Sequence, residues 1–367
     1  MSKRFEYTRF ASRFPVLTYL LSQIVFWVIA YLVLAILAQL VLLSVGTGLQ
    51  TKISLTANLI IAVFFGFFYG FAAGFVGWFF ETRLFYNKSL GIIILGKALI
   101  SLVIFIILIS VVRSVVVPYL SEKYFNGADP STNDESWDAF FYLLLIYNII
   151  IGLLINFINQ VNKKYGPGVL VPLLLGKYRN PKEEERIFLF MDLKSSTTIA
   201  EALGHLKYSA FIRDSFMDIN AVLTKYHAQI YQYVGDEIVI TWTLREGLRD
   251  ASCIQFFFAC EARFNEKADH YGKQYGQIPQ FKAGLHMGKV TVVEVGDIKR
   301  DIAYHGDTLN TAARIQGVCN NYNKKFLTSV YVLNNTETKK DFKTEYIGMV
   351  MLKGKIEPVE IASVERY

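Results

Sequence analysis

Apolar positions are spread very unevenly along the chain. Up to about residue 161 they fall into four long runs, at 17–45, 57–80, 90–117 and 137–161. Each is long enough to cross a bilayer as a helix, which takes about 20 predominantly apolar residues. Beyond residue 185 the text changes to short apolar runs broken by Gly, Asp and Asn, interleaved with stretches of helical period. The pattern predicts four transmembrane helices over 1–161, a joining segment over 162–185 and a soluble domain over 186–367.

Within the soluble part, residues 186–192 (RIFLFMD) read as a buried strand that ends on a carboxylate, Asp192. Hydroxyls at 195–198 follow as caps for a helix carrying Glu201. A longer amphipathic helix is predicted over 205–226, with Leu206, Phe211, Ile212, Phe216 and Ile219 at helical spacing. Residues 230–242 read as two strands joined at Gly235-Asp236, and a further helix covers 247–268. A second hairpin is predicted from 280–286 and 290–295, turning at Gly288. A third helix starts near Thr308, and short strands at 325–329 and 356–364 end the chain. The order lacks the regular βαβ repeat of a doubly wound sheet. It predicts an α+β sandwich, with helices on one face of a mainly antiparallel sheet.

Charge supplies the orientation of the spans. Lys3, Arg4, Arg9 and Arg13 precede the first, Arg83 and Lys88 lie between the second and third, and Lys163 and Lys164 follow the fourth. The first connection has only Lys52, and the third sets Glu122, Asp129, Asp134 and Glu135 against Lys123. Both termini are therefore expected in the cytosol, with the acidic connection outside. The first run is about twice the length of a signal-peptide core and has no A-x-A-like site, so it is expected to stay. These basic flanks account for much of the net charge of +7. No basic stripe with interleaved aromatics accompanies it, and nucleic acid is not an expected partner.

Gly66, Gly70 and Gly74 recur every four residues on one face of the second span. That spacing allows close helix approach, within one subunit or between two. In the third span, Arg113 is expected to snorkel, and Lys97 either snorkels or marks a ligand or ion site. Pro167, Pro172 and Pro181 argue against one continuous helix through the joining segment, whose run 169–175 is apolar. The segment reads as a coupling element or a plain tether. Cys253, Cys260 and Cys319 form no C-x-x-C pair, and the five histidines show no metal-ligand spacing. A reducing compartment without structural zinc fits.

Asp192 at a strand end and Asp236 in a tight turn give two carboxylates that adjacent strands bring together. Hard oxygen ligands of that kind suit Mg²⁺ shared with substrate phosphates. Each feature alone also reads as a cap and a turn residue. Asn310 and Arg314, four apart, share one helix face, where Arg offers a planar fork for phosphate oxygens.

With these residues in place, the chain from Arg186 to about Val364 resembles the class III adenylate and guanylate cyclases. Five motifs carry the resemblance, in family order: 188–197 (FLFMDLKSST), 233–237 (YVGDE), 281–288 (FKAGLHMG), 306–314 (GDTLNTAAR) and 352–355 (LKGK). The resemblance implies a class III cyclase sandwich behind the four helices. It implies ATP, or less often GTP, as substrate, and two Mg²⁺ or Mn²⁺ per active site on Asp192, Leu193 and Asp236. Asn310 would orient the ribose, Arg314 would stabilise charge on the α-phosphate, and Lys353 would bind the distal phosphates. Ser195 and Ser196 stand at a phosphate-cradling turn. In this family the metal carboxylates meet the Asn/Arg pair across a subunit interface, which implies a homodimer. Counting from the motifs places Gln280 and Ala303 at the purine, with Lys282, on the same strand face as Gln280 by period two, as a substitute. They match neither the Lys with Asp or Thr of adenylate cyclases nor the Glu with Cys of guanylate cyclases, and ATP is favoured on family frequency.

Three rival readings remain at this level, one of them a transporter, favoured only by the number of spans. A diguanylate cyclase of GGDEF type needs a second glycine where this chain has Val234. A catalytically inactive membrane sensor has no need of all four of Asp192, Asp236, Asn310 and Arg314. The whole fits a bacterial inner-membrane protein.

Overall fold

The computed structural model describes residues 15–45, 55–83, 89–116, 134–165, 176–297, 300–336 and 342–367. Pro167, Pro172 and the run 169–175 lie outside the described residues, as do most of the charged connections between the spans. The chain divides into two compact units, one within Phe14–Leu170 and the other holding Val171–Tyr367.

In the first unit, helices α1 (Pro15–Val45), α2 (Leu55–Arg83), α3 (Leu90–Val111) and α4 (Asp134–Tyr165) are each long and apolar enough to cross a membrane. α3 runs on into a π turn, Val112–Val116. Leu40, Phe64, Leu95, Ile107 and Ile150 are all exposed. A helix apolar on every side is one that is buried, in a protein core or in a membrane. The glycine face of α2 packs inside this chain. A Cβ at Gly66 would lie 2.7 Å from the Val28 Cα, and one at Gly70 2.8 Å from the Ile24 Cα. Trp27, Tyr31, Tyr69 and Phe105 fill the centre, with the Trp27 and Tyr69 rings edge-on at 4.4 Å. Arg113 is half exposed, 4.0 Å from the Asp138 carboxylate.

In the second unit the strands are β1 (Lys182–Leu193), β2 (Gln229–Val234), β3 (Glu237–Thr243), β4 (Phe281–Val295), β5 (Asp301–His305), β6 (Phe326–Ser329), β7 (Phe342–Val350) and β8 (Val359–Arg366). Among the described residues they form one sheet, ordered β2-β3-β1-β4-β6-β8-β7, with β5 on β4. Every pairing is antiparallel except β4 with β6. Ile187, Leu189, Met191 and Leu193 of β1 enter one core, with Phe211 and Ile219 of α5 (Ser196–Leu223), Trp242, and Phe256 and Phe264 of α7 (Ser252–Glu266). A short helix, α6 (Leu244–Leu248), capped by Thr243, leads into α7, and α8 (Ala268–Tyr275) follows it. Phe188 belongs to a second core on the opposite face, with Val239, Val290 and Val292. A strand buried on both sides reads as an unbroken apolar run, which is how residues 186–192 look.

Five sequence expectations change. β1 begins at Lys182, because the charged stretch Lys182 to Glu185 pairs with Val292 to Lys289 and shows no apolar alternation. The helix expected at 205–226 is the second part of α5, broken at Gly204 (φ 71°). The helix expected over 247–268 is interrupted at Asp250 and Ala251, both in the left-handed region. There is no hairpin at Gly288, since β4 is one continuous strand. What Gly288 provides is closeness: a Cβ there would lie 2.7 Å from the Thr308 Oγ1. At Gly284 a Cβ would lie 2.2 Å from the Gln316 backbone nitrogen. The two glycines let α9 (Asp307–Gly317) lie directly on β4, on the face away from α5 and α7. Helices thus cover both faces of the sheet rather than one.

Candidate active site

β1 delivers Asp192 between two neighbours in register, Glu237 of β3 and Lys282 of β4. Asp236 sits next to Glu237 in the turn from β2 to β3, where Gly235 takes φ 63°. The Asp192 Oδ2 lies 3.6 Å from the Lys282 Nζ and accepts a 3.3 Å hydrogen bond from the Gln316 Nε2. Burial raises the Asp192 carboxyl above the usual range, and the Asp236 carboxylate raises it further against the pull of Lys282. Glu237 is pushed up to about 7 by burial, then by Asp192 and Asp236. Carboxyls whose proton affinity is raised by neighbouring carboxylates are held at an electrostatic cost that a divalent cation relieves. Among the described residues no three His, Cys, Asp or Glu side chains close a metal shell by themselves. Two carboxylates with positions left for water and phosphate oxygens fit Mg²⁺ or Mn²⁺.

The turn after β1 is built from backbone. The Leu193 side chain is buried in the core, which leaves its main chain for any ligand. The Lys194 N–H donates to the Gln280 carbonyl at 2.8 Å. Ser195 is left-handed (φ 59°) and its hydroxyl makes no cap hydrogen bond, contrary to the sequence expectation. The left-handed backbone turns the side chain away from the helix, so the first amides of α5 keep their unfilled donors. Tyr208, unnoticed in the sequence, stands near this turn. Its phenol is raised by burial and then by the Asp236 charge, and it hydrogen-bonds Ser196.

α9 presents two sides. Thr308, Thr311, Ala312, Ile315 and Gln316 are buried, and the Thr308 hydroxyl donates to the Lys289 carbonyl at 2.8 Å. Asn310 is exposed and Arg314 half-buried. They lie about 120° and 160° round the helix from Gln316, the residue that touches Asp192. Within one chain, then, the carboxylates meet the inner side of α9 and the Asn/Arg pair faces outward. The Arg314 guanidinium packs at Gly354, in the 352–355 turn. Lys353 of that turn is exposed, whereas Lys355 is tied to Asp307, which also accepts from Thr311 at 3.2 Å. The Lys355 contact holds Asp307 below the usual carboxylate range. His286 lies near this pair. Its Nδ1 is 2.8 Å from the Ser329 Oγ, and burial, then the Lys355 charge, lowers it to about 4.

The three purine candidates do not come together in one chain. Gln280 is exposed just before β4, and Lys282 is engaged by Asp192. Ala303 pairs with Val293, about 36 Å along β4 from Lys282 at ~3.3 Å per residue. No single base can touch both ends of that strand.

Residues 179–364 match the family model described as the adenylate and guanylate cyclase catalytic domain. Adenylate cyclase 2 of Rhizobium meliloti is 34% identical over 221 residues, covering 60% of this chain and 61% of that protein. An adenylate cyclase of Anabaena cylindrica is 26% identical over 183 residues, 48% of this chain and 36% of its own length. The match thus spans less than two thirds of either relative. A solved bacterial light-regulated adenylyl cyclase superposes with a TM-score of 0.49 at 20% identity, covering 59% of this chain and 64% of its own. With half of its length matched by the family model and the family's motifs gathered around Asp192 and α9, this chain belongs to the class III adenylate and guanylate cyclase family.

Proposed function

We propose that this protein is a membrane-bound cyclase that converts ATP, or less readily GTP, to the 3′,5′-cyclic nucleotide and pyrophosphate in a homodimer. The observation that carries this reading is the split geometry. Asp192, Asp236 and Glu237 converge at one end of the sheet, while Asn310 and Arg314 stand on the outward side of α9. Two copies facing each other would bring the carboxylates of one to the Asn/Arg pair of the other, making two sites.

Asp192 and Asp236, with the Leu193 backbone carbonyl, would hold two Mg²⁺ or Mn²⁺. Bound there, these ions supply positive charge to the triphosphate and acidify the ribose 3′-hydroxyl. The amides at Ser195 and Ser196 would cradle phosphate. Asn310 would fix the ribose, so that its 3′-oxygen approaches the α-phosphorus in line with the departing pyrophosphate. As the new P–O bond forms and the bond to pyrophosphate breaks, Arg314 would meet the charge on the α-phosphate oxygens with its planar fork. Packing at Gly354 pre-orients that fork. Lys353, exposed beside it, would reach the distal phosphates, while Lys355 stays with Asp307. ATP is preferred because the relatives above are named adenylate cyclases. The helical unit would lie in a bacterial inner membrane, with both termini and the cyclase domain in the cytosol.

The test is product formation by detergent-solubilised protein given Mn²⁺ and either ATP or GTP, with Asp236→Ala as control. We expect cyclic AMP, reduced about 100-fold or more in the variant. Cyclic GMP alone would overturn the base assignment. No cyclic product from an intact dimer with either nucleotide would sink the enzyme reading.

A further inference from the structure

In the middle of the helical unit most polar groups are satisfied from within. The Tyr69 hydroxyl donates to the Ser101 carbonyl at 2.9 Å, Tyr147 donates to the Ala30 carbonyl at 2.5 Å, and the Asn148 Nδ2 donates to the Tyr31 hydroxyl at 2.7 Å. These contacts fix the depth register of the helices. Tyr31 of α1 is level with Asn148 of α4, and Trp27 and Ser101 both approach Gly152. One to two turns toward the end formed by Pro15, Leu90 and Tyr165, the same register brings Gln23 and Tyr19 of α1, Lys97 of α3 and Asn159 of α4 into one layer.

That layer differs from the middle. Gln23, Lys97 and Asn159 are only 5%, 4% and 9% exposed. The Lys97 ammonium lies over the Tyr19 ring, 5.6 Å from its centroid. The Gln23 side chain packs along α2, its Cβ and Cγ 3.0 and 3.2 Å from where a Cβ at Gly74 would be. Yet the Gln23 Nε2 and the Asn159 Nδ2 are both buried without a hydrogen-bond partner. Asn148, in the middle, leaves only its carbonyl oxygen unmatched. Unmatched groups in the Gln23 layer are therefore donors, and they stand at the depth of a buried cation. In hydrocarbon no solvent takes up such donors, so leaving them empty is costly.

Two amide donors and an ammonium all recognise an oxygen-rich anion. The surrounding helices are apolar on every side, so a ligand arriving through the bilayer carries an apolar tail. We propose that the layer of Gln23, Lys97 and Asn159 is a binding site for the anionic headgroup, carboxylate or phosphate, of a small amphiphile. The inference goes beyond cyclase activity and does not rest on it.

The experiment uses full-length protein in nanodiscs of zwitterionic lipid, with radiolabelled decanoate and decyl phosphate as probes. Decanol, acetate and inorganic phosphate serve as competitors. We expect saturable binding of at least one labelled anion, displaced by its unlabelled form and not by decanol. Decanoate against decyl phosphate identifies the headgroup. Lys97→Met should weaken binding about tenfold or more, and Gln23→Leu with Asn159→Leu several-fold. Both variants should melt cooperatively, the double leucine variant at or above the wild-type temperature because it removes unmatched groups. Equal displacement by decanol overturns the anion assignment. Displacement by acetate or phosphate at concentrations as low as the amphiphiles require overturns the tail. No saturable binding, or binding unchanged in variants that melt like wild type, overturns the site and assigns the donors to buried water.

Discussion

His286 shows how one buried side chain makes the folded state sensitive to pH. Its ring is lowered to about 4 by burial and by the Lys355 charge. An unfolded chain returns it to about 6.5. Between those values the unfolded state binds the extra proton, so stability is full above pH 6.5 and is lost as pH falls toward 4. The difference amounts to about 3 kcal/mol at most. Melting temperature measured across that window should fall less steeply for His286→Gln than for the wild type, and parallel curves would refute the assignment. The residue was not legible in the sequence because its neighbours are not. Ser329 and Lys355 reach it from 43 and 69 positions away (329 − 286; 355 − 286). Asp192 and Asp236 were legible because each ends a local pattern, an apolar run and a Gly-Asp turn. Gln280 and Ala303 rested on counting along motifs, which carries no information about where a 15-residue strand places its two ends.

Elements follow the same logic. The four apolar helices, the strand at 186–192 and the Gly235-Asp236 turn are set by local period and composition, and all are present. Gly288 misled because a glycine between two apolar runs reads as a turn, while the contact that requires it comes from Thr308 across the sheet. The same contact puts α9 on the second face, which no local pattern announces. Gly284→Ala isolates that packing. The added methyl carbon would lie 2.2 Å from the Gln316 nitrogen and 2.5 Å from the Ala312 carbonyl oxygen, both backbone atoms that move only with the helix. We expect a loss of about 1–3 kcal/mol from overpacking, seen as a lower melting temperature of the cyclase unit. Because α9 carries Gln316 as well as Asn310 and Arg314, turnover should fall further than the folded fraction does. Activity falling only in proportion to folded protein would argue against α9 as the positioning element.

At the scale of the whole molecule, the two sides of α9 make a claim that single-site variants cannot test. A copy lacking Asp192 and a copy lacking Arg314 should each be inactive alone. If sites form between chains, the mixed dimer contains one site with both defects and one with neither. The intact site takes its carboxylates from the Arg314→Ala chain and its guanidinium from the Asp192→Ala chain. Random assortment makes half of the dimers mixed, and each has one working site of two, so co-expressed variants should recover about a quarter of wild-type activity. If each chain instead completed its own site, every site in every mixture would carry one defect and nothing would be recovered. Mixing the two purified variants after assembly, without exchange of chains, should also recover nothing, which separates complementation from residual activity. Recovery near a quarter, dependent on co-expression, would place the reaction between two copies of this chain. None at all would return the site to a single chain, and α9 would then have to turn on its axis to present Arg314 to the carboxylates.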